Sequence, residues 1–280
     1  MADPPNTAPG IAGHYGGGGL LARLEAALDE DGADPKRPTA DQLAPYDQFH
    51  GRGIEATEEL AALLPVRAGD RLLDVGSGIG GPARYLARRF GCRVSGIDLT
   101  AEFCAVAREL TRRLGLQGRV EFVLGDALAM PFAAESFDGA CSMNVAMNIA
   151  DKRGFYREIR RVLKPSGWFA LSEVARGPGP APEYPTPWAR SAAESFLAAP
   201  EATRAALERE GFKVEAFRET LEQALAYARR SRAAAERGEK PPHRAVTLIH
   251  GPRARAMIAN TARALNEGSL VPIEVLCRKA

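Results

Sequence analysis

Cysteine is scarce in the 280 residues: only Cys92, Cys104, Cys141 and Cys277 occur, far apart and without a Cys-x2-Cys pair. That spacing suggests neither a zinc cage nor a disulfide framework, so no metal is expected and a reducing, cytoplasmic setting is. The sequence also lacks any run of 18 apolar residues, and its opening stretch MADPPNTAPGIAGHYGGGG has no basic start followed by an apolar core. Neither a membrane span nor a signal peptide is expected. Charge of one sign is missing too: 37 Lys and Arg against 35 Asp and Glu leave +2, without the basic excess that a nucleic-acid partner calls for. What is present, 45% hydrophobic and 26% charged side chains, is the balance of a globular protein with a sizeable core. At roughly 150 residues per domain the length falls just short of two domains.

The Gly- and Pro-rich leader reads as mobile, although His14-Tyr15 ahead of four glycines has the makeup of a flap that folds onto a ligand. Leu20, Leu21, Leu24 and Leu28 then fall at helical spacing until DEDGADPKRP stops the helix, and a second helical pattern runs from about Gly53 to Leu64. Residues 1–65 are thus a helical N-terminal extension. From residue 66 short β-rich runs alternate with helical ones, beginning RLLDVGSG, RYLARRFG, RVSGIDLT, AVARELTRRLG and VEFVLGDA. This is the pattern of βαβ units and a parallel sheet. FDGACSMN, GWFALSEV and KVEAFRE bring the readable strands to six. A seventh, IEVLCRK, stands at the end beyond a mainly helical insertion at 220–270 and can pair only by returning from it.

The strongest chemical signal is DVGSGIGG, residues 74–81, between an apolar strand and a helix beginning near Pro82. Glycines there allow a tight turn and let a ligand approach the backbone. Gly76, Gly78 and Gly81 satisfy a G-x-G-x-x-G dinucleotide spacing, and Asp98 follows Gly76 by 22 residues, where a carboxylate can accept from ribose hydroxyls. A nicotinamide-dependent oxidoreductase is therefore one reading. Against it, Asp74 precedes the first glycine, where it can meet a ligand ammonium, a charge that a pyrophosphate does not carry. Asp126, in Gly125-Asp126-Ala127 after the third strand, can accept from an adenine amine at the same sheet edge.

Together with the terminal strand, these residues resemble the class I S-adenosylmethionine (SAM)-dependent methyltransferases. The resemblance implies a Rossmann-like, seven-stranded, mostly parallel sheet with an antiparallel last strand, here with a helical N-terminal extension and a helical insertion between the last two strands. The segments LAPYDQFHGRGIEATEELA, MNIADKRGFYREIRRVLKPSG, EYPTPWARSAAESFLAAPE and VPIEVLCRK are similar to those of sarcosine/dimethylglycine methyltransferase-like proteins. Residues 66–280 would then be the SAM-binding domain, with S-adenosylhomocysteine (SAH) as product. The acceptor would be a small molecule: the amine of a glycine- or sarcosine-like metabolite, or the hydroxyl or carbon of a natural product.

Carried over by residue, the resemblance implies that Gly76, Ser77 and Gly78 line the methionine and ribose of SAM. Asp98 would take the ribose, Leu99 and Thr100 would flank the adenine, and Asp126 and Ala127 would hold its edge. Relatives often have histidine where this chain has Asn144, which orients a nucleophile but takes no proton at neutral pH. That departure keeps a catalytically inactive SAM-binding protein among the readings. His50, in the loop YDQFHGRG, is the first candidate for a base, and Tyr15 is a candidate lid. Met147, Asn148 and Trp188 are candidate acceptor contacts, an aromatic wall suiting a methylammonium, and Arg52 or Arg190 can grip a carboxylate. His14, His243 and His250 read as surface or loop residues. The run MNIAD after the fourth strand offers no base-flipping motif, so no nucleic acid is expected; the chain would act as a monomer or homodimer.

Overall fold

Apolar runs bounded by glycine turns form the strands of one sheet in a computed structural model that describes residues 14–15 and 18–280. The mobile leader expected for residues 1–13 and 16–17 lies outside the described residues. β1 (Arg71–Val75), β2 (Arg93–Asp98) and β4 (Phe137–Met143) are buried along almost their whole length, as strands covered by helices on both faces must be. With β3 (Val120–Leu124), β5 (Leu163–Arg176), β6 (Phe212–Glu219) and β7 (Leu270–Lys279), the order is β3-β2-β1-β4-β5-β7-β6. β1 to β5 pair in parallel, whereas β7 lies antiparallel between β5 and β6. The seventh strand thus returns from the insertion into the sheet.

Strand alternation divides the core. Leu73 and Val75 feed the cluster holding Phe137, Phe155 and Phe169, while Leu72, just before them, feeds the opposite cluster with Val94 and Trp168. Each such side chain, once buried, contributes roughly 1.5–3 kcal/mol. Helices α4 (Gly81–Phe90), α5 (Ala101–Arg113), α6 (Lys152–Val162) and α7 (Pro200–Arg209) supply the crossovers.

The extension holds α1 (Leu20–Glu30), α2 (Ala40–Asp47) and α3 (Ile54–Ala61), and the insertion α8 (Leu221–Glu236), α9 (Ala245–His250) and α10 (Ala254–Asn266). α2 has no counterpart in the sequence pattern, because it is short and contains Pro45. It forms on a capping box: Thr39 Oγ1 accepts from Gln42 N at 3.2 Å, and Gln42 Oε1 accepts from Thr39 N at 2.8 Å. Leu20, Leu24 and Leu28 pack with Leu43, Phe103, Leu110 and Leu248, so extension, sheet helix and insertion share one apolar cluster. His243 Nε2 lies 2.8 Å from the Gln48 carbonyl and Arg244 Nη2 lies 2.7 Å from Asp31 Oδ2, joining the two helical segments.

Candidate active site

The end of β1 sets the site. Gly76 and Gly78 take φ of +73° and +53°, which an L-residue with a Cβ adopts only under strain. Their turn is pinned to β2, since Gly76 N and Ser77 N both donate to Ile97 O at 2.8 and 3.0 Å. A Cβ on Gly76 would come 2.3 Å from a Val145 methyl, whereas one on Gly78 would meet nothing within 4 Å. Gly78 N donates to Asp98 Oδ2 and Thr100 N to Asp98 Oδ1, each at 2.8 Å, so the Asp98 carboxylate is oriented before any ligand arrives. Asp126 Oδ1 likewise accepts from Leu128 N at 2.8 Å. Gly81, the third glycine of the spacing, serves packing: a Cβ there would lie 2.1 Å from the Asp47 carbonyl oxygen.

These residues open on one cavity of about 450 Å³ at the carboxyl edge of the sheet. Asp74, Gly76, Ser77, Gly78, Asp98, Leu99, Thr100, Asp126, Ala127 and Asn144 all line it, and so do Tyr15, His50 and Asn148. Asp74 is 2% exposed, and its Oδ2, like Ser77 Oγ, has no hydrogen-bond partner among the described residues. Burial, reinforced by the charge of Asp98, pushes the Asp74 carboxyl up to about 7. A cationic group in the cavity would relieve that burial. Burial raises the Asp98 carboxyl as well, opposed by its two backbone donors. Asn144 stands at φ +56° just past β4, held by its N–H to Ser172 O at 2.8 Å; asparagine tolerates this region better than most side chains.

Tyr15 covers the cavity. Its hydroxyl donates to Asn148 Oδ1 at 3.4 Å, and its ring packs edge-on to Phe49 at 5.7 Å and against Phe103 at 5.8 Å. His14 and His250 complete this aromatic group, with ring centroids 4.9 Å apart. The surface-or-loop assignment is therefore corrected for His14 and His250, whereas His243 does lie in the loop before α9. His14 and His250 are buried and His243 half-buried, because extension and insertion close on one another there. Desolvation pulls His243 and His250 down to about 4.

His50 lines the cavity with both ring nitrogens engaged, Nε2 3.0 Å from Thr57 Oγ1 and Nδ1 3.3 Å from the Gly51 carbonyl. Burial pulls it down to about 3, so the imidazole stays neutral and is a weak base. Four assigned residues do not fit the structure. Met147 and Trp188 do not line the cavity but pack together with Ala264 and Leu270, with Trp188 Nε1 donating to Ser195 Oγ at 2.9 Å. Arg52 is buried against Glu59 at 2.7 Å and Glu274 at 3.4 Å. Arg190 pairs with Glu194 at 2.6 Å, an i, i+4 neighbour that competes locally for the guanidinium.

Other residues were hidden from sequence reasoning. Phe196 lines the cavity from the loop after β5; strand-end placement marks that loop but not the side chain that turns inward. Lys152, at the start of α6, donates to the carbonyls of Ala146, Ile149 and Phe196, the last two at 2.8 and 2.6 Å. Glu173 on β5 accepts from Met147 N at 3.3 Å and Val174 N at 3.0 Å. Burial raises the Glu173 carboxyl and lowers the Lys152 ammonium, each opposed by the charge of the other. Among the described residues no helix is long and apolar enough to cross a membrane.

Residues 73–171 match a family model described as a methyltransferase domain. A curated relative, methyltransferase GfsG of Streptomyces halstedii, is 39% identical over 122 residues, 44% of either chain; the match thus spans less than half of that relative's length. The fold extends further than the sequence match. Geranyl diphosphate C-methyltransferase from Streptomyces coelicolor A3(2) aligns over 99% of this chain and 100% of its own, with a TM-score of 0.70 at 19% identity. A sarcosine dimethylglycine methyltransferase-like structure from Galdieria sulphuraria covers 92% and 98%, with a TM-score of 0.69 at 17% identity.

Proposed function

We propose that this protein is a SAM-dependent methyltransferase acting on a small-molecule acceptor. The observation that carries the reading is the buried, unpartnered Asp74 Oδ2 in line with Asp98 and Asp126 along one sheet edge. The donor set fits the cofactor: Asp74 would take its ammonium, Asp98 its ribose hydroxyls, and Asp126 with Ala127 its adenine edge. SAM, when bound, supplies a methyl group on a sulfonium and leaves as the thioether SAH once the acceptor's lone pair has taken that methyl.

The chain itself supplies approach and a dry enclosure. Tyr15, Phe49 and Phe103 exclude water, and Asn144 and Asn148 orient the acceptor by neutral hydrogen bonds. Alignment of this kind contributes roughly 7–11 kcal/mol to a displacement. His50 shapes the wall and, held neutral, leaves the acceptor's proton to another route. Residues 66–280 would form the cofactor domain and residues 1–65 with 220–270 its roof, working in the cytoplasm.

Calorimetric titration tests the reading. SAM and SAH should each bind the full chain, and Asp98→Ala should weaken both by about tenfold or more. Failure of both to bind, or saturable binding of NADH instead, would end it.

A further inference from the structure

The charges around the cavity are unevenly placed. Five aspartates line it and, among the described residues, no lysine or arginine does. Residues 1–17 contain no lysine or arginine either, so the segment beside Tyr15 brings no cationic side chain beyond His14, whose imidazole burial depresses. Three cations behind its walls are committed elsewhere: Arg84 to Asp47 at 2.9 Å, Arg52 to two glutamates, and Lys152 to three carbonyls.

Most of the aspartates have roles as well. Asp74, Asp98 and Asp126 face the cofactor's own polar groups under the function proposed above. Asp47 is neutralised by Arg84, while Asp151 Oδ1 caps α6 by accepting from Gly154 N at 2.8 Å and the carboxylate keeps its charge. What is left for an acceptor is apolar wall from Phe49, Phe103, Ile149 and Phe196, with neutral hydrogen-bonding groups on Tyr15, Asn144 and Asn148. A phosphate or carboxylate would lie near aspartates with no counter-cation.

We infer that the acceptor is a largely apolar molecule without an anionic group, presenting a hydroxyl or comparable neutral hydrogen-bonding group, rather than an amino acid or a phosphate ester. This rests on the cofactor reading above. Selectivity follows from leaving wrong groups unpaired as much as from attracting the right one.

The test is calorimetry on the SAH-saturated full chain with geraniol and farnesol as neutral probes. Geranyl diphosphate, with and without magnesium, phosphoethanolamine and sarcosine serve as charged ones. The neutral alcohols should bind at least about tenfold more tightly than every charged probe. Equal or tighter binding of any charged probe overturns the inference; if geranyl diphosphate does so only with magnesium, the aspartates recruit a metal. Absence of binding by both alcohols overturns it too. SAH saturation is measured first, so a failure of the cofactor reading appears there and a failure of the acceptor class only afterwards.

Discussion

Asp47, the last residue of α2, accepts from Arg84 of α4 at 2.9 Å with both side chains buried. Arg84 also donates to the Ala107 carbonyl and Thr111 Oγ1, each at 3.3 Å. One guanidinium therefore ties the extension to α4, which follows the glycine turn, and to α5. Gly81 lets the two backbones approach this closely.

Breaking that pair should be costly because the surviving charge stays buried. Arg84→Met is expected to lower unfolding stability by about 3–5 kcal/mol, read by urea denaturation. The double variant Asp47→Asn/Arg84→Met should recover part of the loss. Equal stability of Arg84→Met and the native chain would contradict a buried, desolvated pair.

Asp74 should make stability and ligand affinity oppose each other with pH. Its carboxyl is raised in the folded protein from below 4 to about 7, so the folded state holds the proton more tightly than the unfolded chain does. The contribution is favourable at low pH and is lost as pH rises through about 7. Asp74→Asn removes this penalty and should be more stable than the native chain at pH 8, by a few kcal/mol at most. SAH, with its ammonium, should favour the ionised carboxylate. Its affinity should climb between about pH 5 and pH 8 with a proton released on binding; calorimetry in buffers of different ionisation enthalpy reads that proton. In Asp74→Asn the pH dependence should flatten.

The sequence was informative where chemistry and backbone geometry coincide. Glycines with positive φ, aspartates at strand ends and a terminal strand beyond a helical insertion leave marks in residue type and spacing. The sheet and the cofactor edge were therefore legible. The acceptor end was not, because its residues are selected by packing. Trp188 and Phe196 lie in the same loop, yet Trp188 packs against Met147 while Phe196 lines the cavity. Arg52 has the chemistry to hold a carboxylate, but strand β7 sets Glu274 against it. No local pattern reports such a long-range partner.

Gly76 and Gly78 should differ although both have positive φ. Gly78→Ala meets open space and should cost only the backbone strain, roughly 1–2 kcal/mol. Gly76→Ala adds a clash with Val145 and should lose more stability. Val145→Ala in the same chain should restore part of that loss while doing nothing for Gly78→Ala. Additive effects in the Gly76/Val145 double-mutant cycle would refute the contact.

Lys152 should act on the cavity wall from behind. Its three carbonyl acceptors lie in two pieces of chain, Ala146 and Ile149 in one and Phe196 in the other, and Ile149 and Phe196 line the cavity. Lys152→Met keeps the apolar stem and deletes the donors, leaving those carbonyls and the Glu173 carboxylate without the ammonium. Amide exchange should therefore quicken in residues 145–150 and around Phe196, while β1 and β2 keep their protection, since local opening is set by local bonds. SAH affinity should change by less than about threefold, because Asp74 and Asp98 sit on other strands. Uniform loss of protection across the sheet would instead assign Lys152 to global stability, and unchanged exchange at 145–150 would remove it as the fastener of the acceptor wall.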